Sequence, residues 1–346
     1  MSRGSIYWGV KMIEQILNDY GIHPLEIKKV TPNVFKITDS STQFAVKKSS
    51  MTPSSLNNWK KALHQAYYSN LTSILPVYLT KNNMLCLTRE GHTYYLTPWI
   101  DQVESNLNFE LFFQSLGQIH KRTIDKVVVP NDIQNEFEKY QYNNKTNLQF
   151  LLESVQRFEQ NKYMSPFELL VCSQYTRIEN IGVVLNSFIK RFLDERKEQS
   201  LWKLSLCHGC LKKENIIQSN KLFIINWEKA HYGNATHDLV IFFNNIINEI
   251  QIDFDTMIEY FEIYLQENEL EMDELDLLVI SLLDFRRYCI IVEQYLNRDR
   301  THYSMMNQIM ELQRTFRVLM FGLKLSEYVD RRTEELLFEE LNEIED

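Results

Sequence analysis

Residues 204–239 read LSLCHGCLKKENIIQSNKLFIINWEKAHYGNATHDL, and their order decides how the rest of the chain is read. His208-Gly209-Cys210 is followed, after four residues, by Asn215. A short apolar run rich in isoleucine then ends in Asn226-Trp227-Glu228, and Asp238-Leu239 opens a helical pattern. Short strands and loops interrupt the helices here.

Upstream of this stretch the periodicity is mixed. Residues 11–20 carry Ile13, Ile16 and Leu17 on one helical face and stop at Gly21. Short β-type runs follow at 27–30, 34–38 and 43–47, with Asp39-Ser40-Ser41 as a turn. Thr52-Pro53-Ser54 opens a helix to about residue 68, with Ser54 or Ser55 as the cap. Further strands are expected at 74–80, 84–88 and 92–99. Beyond Asp101 the pattern is helical, at 109–123, 147–158 and 181–193. After the interrupted stretch it resumes at 239–250, 254–265, 275–296 and 305–325. The segment 334–346 is acidic and leucine-spaced, and reads as a solvated terminal helix. The expectation is an α+β protein of two lobes: a small β-rich one over residues 1–97 and a large helical one over 98–346.

Composition sets the outer bounds. The chain has 346 residues, 44% hydrophobic and 24% charged, which is ordinary globular composition. A net charge of −9 argues against nucleic acid as a partner, because phosphate neutralisation needs clustered Lys and Arg. No apolar run reaches the roughly 18–20 residues that span a bilayer, so no membrane partner is expected. The opening residues lack the uninterrupted apolar core of a signal peptide, so the chain reads as not secreted. Five scattered cysteines make no disulfide framework. Cys207 and Cys210 form a C-x-x-C, but a zinc site would need a second pair at similar spacing. Buried, inert thiols are the plainer reading, with a redox dithiol at Cys207 and Cys210 as the alternative.

The order and spacing of residues 204–239 resemble the catalytic and metal-binding loops of the aminoglycoside-phosphotransferase and choline-kinase group of protein-kinase-like folds. The pattern there is His-Gly-Asp, four residues, Asn, then a strand ending Ile-Asp-Trp/Phe-Glu, then Asp-Leu. The resemblance puts Cys210 where the catalytic Asp belongs and Asn226 where the metal-binding Asp belongs. An acid at 210 would orient the attacking hydroxyl, help typically worth about 10²–10⁴ in rate. Thiols are mostly protonated at neutral pH and differ in geometry. An amide at 226 removes a full charge from a site for Mg²⁺, a hard cation that favours carboxylates. Asn215 is left as a second oxygen ligand, too weak alone to hold the ion. No catalytic residue is therefore expected at the degenerate positions His208, Cys210 and Asn226.

The other parts implied by the resemblance are structural or concern nucleotide. His208 would brace the loop, Glu228 would follow the strand, and Asp238 would cap its helix and hold the catalytic-loop backbone. Phe44-Ala45-Val46-Lys47 matches the strand that presents a phosphate-binding lysine, and residues 96–101 are similar to the hinge that holds adenine. Lys47, Thr97, Trp99 and Ile100 are thus the nucleotide candidates. Two features weaken them: no glycine lies between Gly21 and Gly91, and residues 54–68 offer Lys47 no acidic partner. No cofactor is expected, with ATP and Mg²⁺ as the alternative. A phosphotransferase using Glu214 or Glu228 is the enzymatic rival.

Within this group the chain resembles the CotS family of spore coat proteins, in its YsxE-like branch. The likeness rests on Asp19-Tyr20-Gly21, residues 34–37 and 44–47, the hinge 95–100, Leu116-Gly117-Gln118-Ile119-His120, and the degenerate loops. It implies a pseudokinase made in the mother-cell cytoplasm and deposited in the spore coat. Its partners would be other coat proteins and its role structural.

Overall fold

The computed structural model describes residues 3–102, 107–128, 133–198, 201–249, 252–297 and 304–345, without the side chains of 3–10, 198 and 336–345. In chain order the elements are α1 (Arg3–Tyr20), β1 (Glu26–Thr31), β2 (Val34–Thr38), β3 (Gln43–Ser49), α2 (Pro53–Tyr68), β4 (Leu87–Arg89) and β5 (His92–Pro98). Then come α3 (Phe109–Arg122), β6 (Asp125–Val128), α4 (Ile133–Glu159), α5 (Pro166–Glu198), β7 (Leu201–Cys207), β8 (Ile216–Gln218), β9 (Leu222–Ile224) and β10 (His231–Gly233). The last are α6 (Thr236–Ile246), α7 (Phe254–Glu267), α8 (Met272–Leu282), α9 (Arg286–Leu296) and α10 (Met305–Glu345). The chain divides into two compact units: Met1–Ile124 with Ser205–Gly233, and Asp125–Leu204 with Asn234–Asp346.

The first unit is built on an antiparallel sheet ordered β1-β2-β3-β5-β4. One sheet face and one stripe of α1 share a core of Ile13, Ile16, Leu17, Phe35, Ile37, Phe44, Val46, Tyr94 and Leu96. Alternation along β2 and β3 sends Phe35, Ile37, Phe44 and Val46 to that core. Lys47 and Ser49 therefore share the other face of β3. The β1–β2 connection is a tight turn at Pro32-Asn33, with Lys48 N–H donating to Asn33 O at 2.8 Å. Glu90 and Gly91 both have positive φ (48° and 73°) and join β4 to β5, as a two-residue hairpin turn requires. Thr52 caps α2 by accepting from Ser55 N–H at 3.2 Å. The cap is thus Thr52, two or three residues earlier than the serines the sequence suggested.

Residues 74–80 are not a strand. Pro76 removes a ladder donor, and the segment keeps one parallel bridge, Ile74 to Ile224, and one bond from Tyr78 N–H to Leu96 O at 2.8 Å. The expected strand at 84–88 begins later, at Leu87, because Thr80 and Met84 close a turn between them. The last three residues of β7 pair with β10, and β8 pairs with β9 as a short hairpin.

In the second unit the first four residues of β7 pair with β6. The rest is helical. α5 is its central column, burying Ile178, Ile181, Leu185, Phe188, Ile189 and Phe192. The single helix expected at 275–296 is two, α8 and α9, parted at Leu283-Asp284-Phe285. Asp284 accepts from Arg286 N–H at 3.1 Å and so starts the second one. Gly322 of α10 stands against Leu282 and Leu283 too closely for a side chain, which lets α10 cross at that break. Ion pairs tie these helices: Arg196 to Asp273 at 2.6 Å, and Arg191 to Asp276 and Asp330. Asp238 stands at the third position of α6, and the side chain that accepts from the first turn is that of Asn234, from Thr236 N–H at 3.0 Å. The expected residues 250 and 346 lie outside the described residues. Among the described residues no helix is long and apolar enough to cross a membrane.

Candidate functional site

The residues singled out on β3 and on the two loops of 205–233 lie in the first unit, joined by hydrogen bonds. Gly209 takes φ +75°, and a Cβ there would collide with the Lys229 carbonyl, so only glycine lets the two loops approach. His208 is fully buried; its Nε2 lies 2.8 Å from Ile225 O, and its ring meets Trp227 edge-on at 4.9 Å. Asn215 spans the loops through its Nδ2, which donates to Cys210 O at 2.8 Å, and its backbone O, which accepts from Ile225 N–H at 2.8 Å.

Asn226 follows β9 and adopts the left-handed conformation, φ 68° and ψ 46°, before a single 3₁₀ turn at Trp227–Lys229. Its Nδ2 donates to Asn215 Oδ1 at 2.6 Å, and its Oδ1 accepts from the Lys47 ammonium. Cys210, Asn215, Asn226 and Lys47 thus form one ladder in which the cation ends on a neutral amide. Burial pushes the Lys47 ammonium down to about 8, with Glu228 pulling the other way. Glu228 is itself held: Ser49 Oγ donates to one carboxylate oxygen at 2.5 Å and Tyr95 OH to the other at 2.7 Å. Burial and that carboxylate raise the Tyr95 phenol.

Trp59 of α2 is buried beside this cluster, its ring 4.8 Å from that of Tyr95. Lys47, Trp59, Leu75, Tyr95, Thr97 and Asn226 line a cavity of about 20 Å³, room for one water molecule. Thr97 is buried on β5 opposite Ala45, while Trp99 and Ile100 follow the strand half-buried. Trp99 Nε1 donates to Asp101 at 2.7 Å and its ring carries the Lys36 ammonium at 4.8 Å. Asp238 belongs to the second unit. None of the five cysteines is in a disulfide, and Cys207 donates to Gly233 O at 3.4 Å.

Ser49 and Tyr95 escaped the reading of the sequence. Ser49 had a signal, since it lies two residues from Lys47 on the same strand face. Tyr95 had none, because its register opposite Lys47 exists only once β3 and β5 pair.

The donor set does not fit a divalent cation. Its two amide oxygens are neutral and both already accept hydrogen bonds, one of them from an ammonium. The nearby carboxylate of Glu228 is occupied by two hydroxyls.

No protein-family model matches the chain. No curated protein matches it in sequence. Solved structures do match in fold. An aminoglycoside phosphotransferase from Alicyclobacillus acidocaldarius superposes with a TM-score of 0.70 at 15% identity, covering 93% of this chain and 96% of that one. A spectinomycin phosphotransferase solved with ADP and spectinomycin gives 0.54 at 14%, covering 91% and 97%. A microcompartment-associated aminopropanol kinase gives 0.53 at 12%, covering 92% and 98%. The chain therefore has the kinase-like fold of the aminoglycoside phosphotransferases, with an antiparallel-sheet N-lobe and a mostly helical remainder.

Proposed function

We propose that the protein is a pseudokinase, a kinase-like fold without phosphotransfer that serves as an interaction protein in assembly of the bacterial spore coat. The observation that carries the first part is the ladder itself. Both positions that would need a carboxylate hold neutral side chains, Cys210 and Asn226, and the Asn226 oxygen is taken by Lys47. Positioning and charge opposite the phosphates supply most of the rate in phosphoryl transfer, and both lose their anchor here. The coat assignment is supported by the likeness of residues 19–21, 34–37, 44–47, 95–100 and 116–120 to the CotS family. Its partners would be other coat proteins.

A second reading is a nucleotide-binding module without turnover. Lys47 favours it, as a buried cation that a phosphate could take over from Asn226, with Thr97, Trp99 and Ile100 as the hinge. A phosphotransferase acting on an amino alcohol or aminoglycoside through other acids has less support. Glu228 is locked by Ser49 and Tyr95, and Glu214 is exposed.

Thermal unfolding with ATP, Mg²⁺ and Mn²⁺ separates these readings. A ligand at a hundredfold its dissociation constant adds about 2.7 kcal/mol, a shift of several degrees. We expect no metal-dependent shift in the natural chain and a clear one in the double variant Cys210→Asp/Asn226→Asp. A shift with ATP alone selects the nucleotide module. Metal-dependent transfer by the natural chain overturns the pseudokinase. Absence of the protein from extracted spore coats overturns the coat assignment.

A further inference from the structure

Helix α2 and the segment 70–85 enclose a groove of about 590 Å³ on the first unit. Its walls are apolar, formed by Leu63, Leu71, Ile74, Val77 and Leu79. Apolar side chains also stand exposed along it: Tyr67 is 85% exposed, Tyr68 76% and Leu79 51%. Large exposed apolar groups gathered around one depression mark an interaction surface.

The two elements that form the groove carry charge of one sign. Helix α2 and the segment 70–85 have no acidic residue, and they hold the exposed Lys60, Lys61 and Lys81. This is a basic island in a chain of net charge −9. On α2, Lys60, Leu63, His64 and Tyr67 share one face by their spacing. Arg122 donates to Asn70 O at 3.3 Å, which sets a guanidinium beside a groove residue.

The chain also carries a segment of matching chemistry. α10 continues to Glu345, and residues 334–346, EELLFEELNEIED, hold seven carboxylates and no base. Leu337, Leu341 and Ile344 recur at i, i+4 and i+7 in the sequence, and the twelve residues 334–345 make about 18 Å of helix. An acidic amphipathic helix is the natural occupant of an apolar groove with a basic rim: its stripe fills the groove and its carboxylates meet the rim. We infer that the α2 groove of one copy receives the end of α10, residues 334–345, of a second copy. The two surfaces differ, so the contact is heterologous and propagates head to tail unless a ring closes. This holds whether or not the protein binds nucleotide.

Sedimentation of the full chain over a range of concentration and salt tests it. Two variants are needed: Tyr67→Glu/Leu79→Glu, at exposed groove positions, and Glu339→Lys/Glu340→Lys/Glu343→Lys in the helix, each checked for folding by circular dichroism. The natural chain should self-associate, less so at high salt. Each variant alone should be monomeric, and an equimolar mixture should stop at a dimer, since it retains one intact groove and one intact helix. A labelled peptide of residues 333–346 should bind the natural chain and bind the groove variant at least about tenfold more weakly. A monomer that binds no peptide overturns the inference, as does self-association that neither variant alters. Peptide binding by a monomeric chain assigns the helix to its own groove and overturns the second-copy contact. Uptake of a small apolar dye without peptide binding assigns the groove to a small ligand and overturns it too.

Discussion

Lys47 in the first unit and Arg196 in the second are both deeply buried cations, and they are met in opposite ways. Arg196 faces the carboxylate of Asp273 at 2.6 Å, and both side chains are almost fully enclosed. Lys47 faces the amide of Asn226, and the nearest acid, Glu228, gives its oxygens to Ser49 and Tyr95. Asp273 and Asp276 are buried carboxylates that tie helices together. The ladder that meets Lys47 is built of two side-chain amides and a backbone carbonyl instead. The contrast is one of place: the second unit holds Asp273, Glu274 and Asp276 buried, while the first meets its buried lysine with an amide.

The sharpest way to break this contrast is Arg196→Met, which strands Asp273 without its cation. Removing one partner of a buried pair costs about 3–5 kcal/mol, so the denaturant midpoint should fall markedly; a change within error would mean the pair contributes nothing. Lys47→Met tests the other side and is read through pH. The folded ammonium titrates near 8 against 10.5 for the unfolded one, so the unfolded chain holds more protons across that window. Stability of the natural chain should therefore rise from pH 8 to 10.5, by up to about 3 kcal/mol, relative to Lys47→Met. Parallel curves for the two proteins would show that Lys47 is not desolvated as described. The smallest effect belongs to Ser49→Ala. It removes one hydroxyl from the Glu228 carboxylate and should cost about 1.5 kcal/mol; no loss would mean that water replaces the hydroxyl.

Much of the fold was legible because its long segments carry clear periods. The strands at 34–38 and 92–98 and the helices at 53–68, 109–122 and 254–267 follow from alternation or from 3.6-residue spacing. The misses have local causes. Residues 74–80 are apolar enough for a strand, but Pro76 and a single bridge leave them irregular. The break at 283–285 was hidden because Leu283 and Phe285 continue the apolar pattern while Asp284 starts a new helix. In the candidate site, Asn215, Asn226 and Lys47 could be singled out by motif order, and the fold joins them directly. Ser49, Tyr95 and Trp59 could not be singled out so readily. Their roles depend on strand register and on how α2 packs, which single-chain periodicity does not encode.

The left-handed backbone at Asn226 has a consequence for heredity. Asparagine and aspartate are the side-chain-bearing residues that tolerate this region best, so exchanging one for the other alters a single atom and leaves the torsion undisturbed. The two residues are also neighbours in the genetic code. A lineage with this main chain can cross between amide and acid at one codon, in either direction, with the torsion kept and only the hydrogen bond from Asn226 Nδ2 to Asn215 given up.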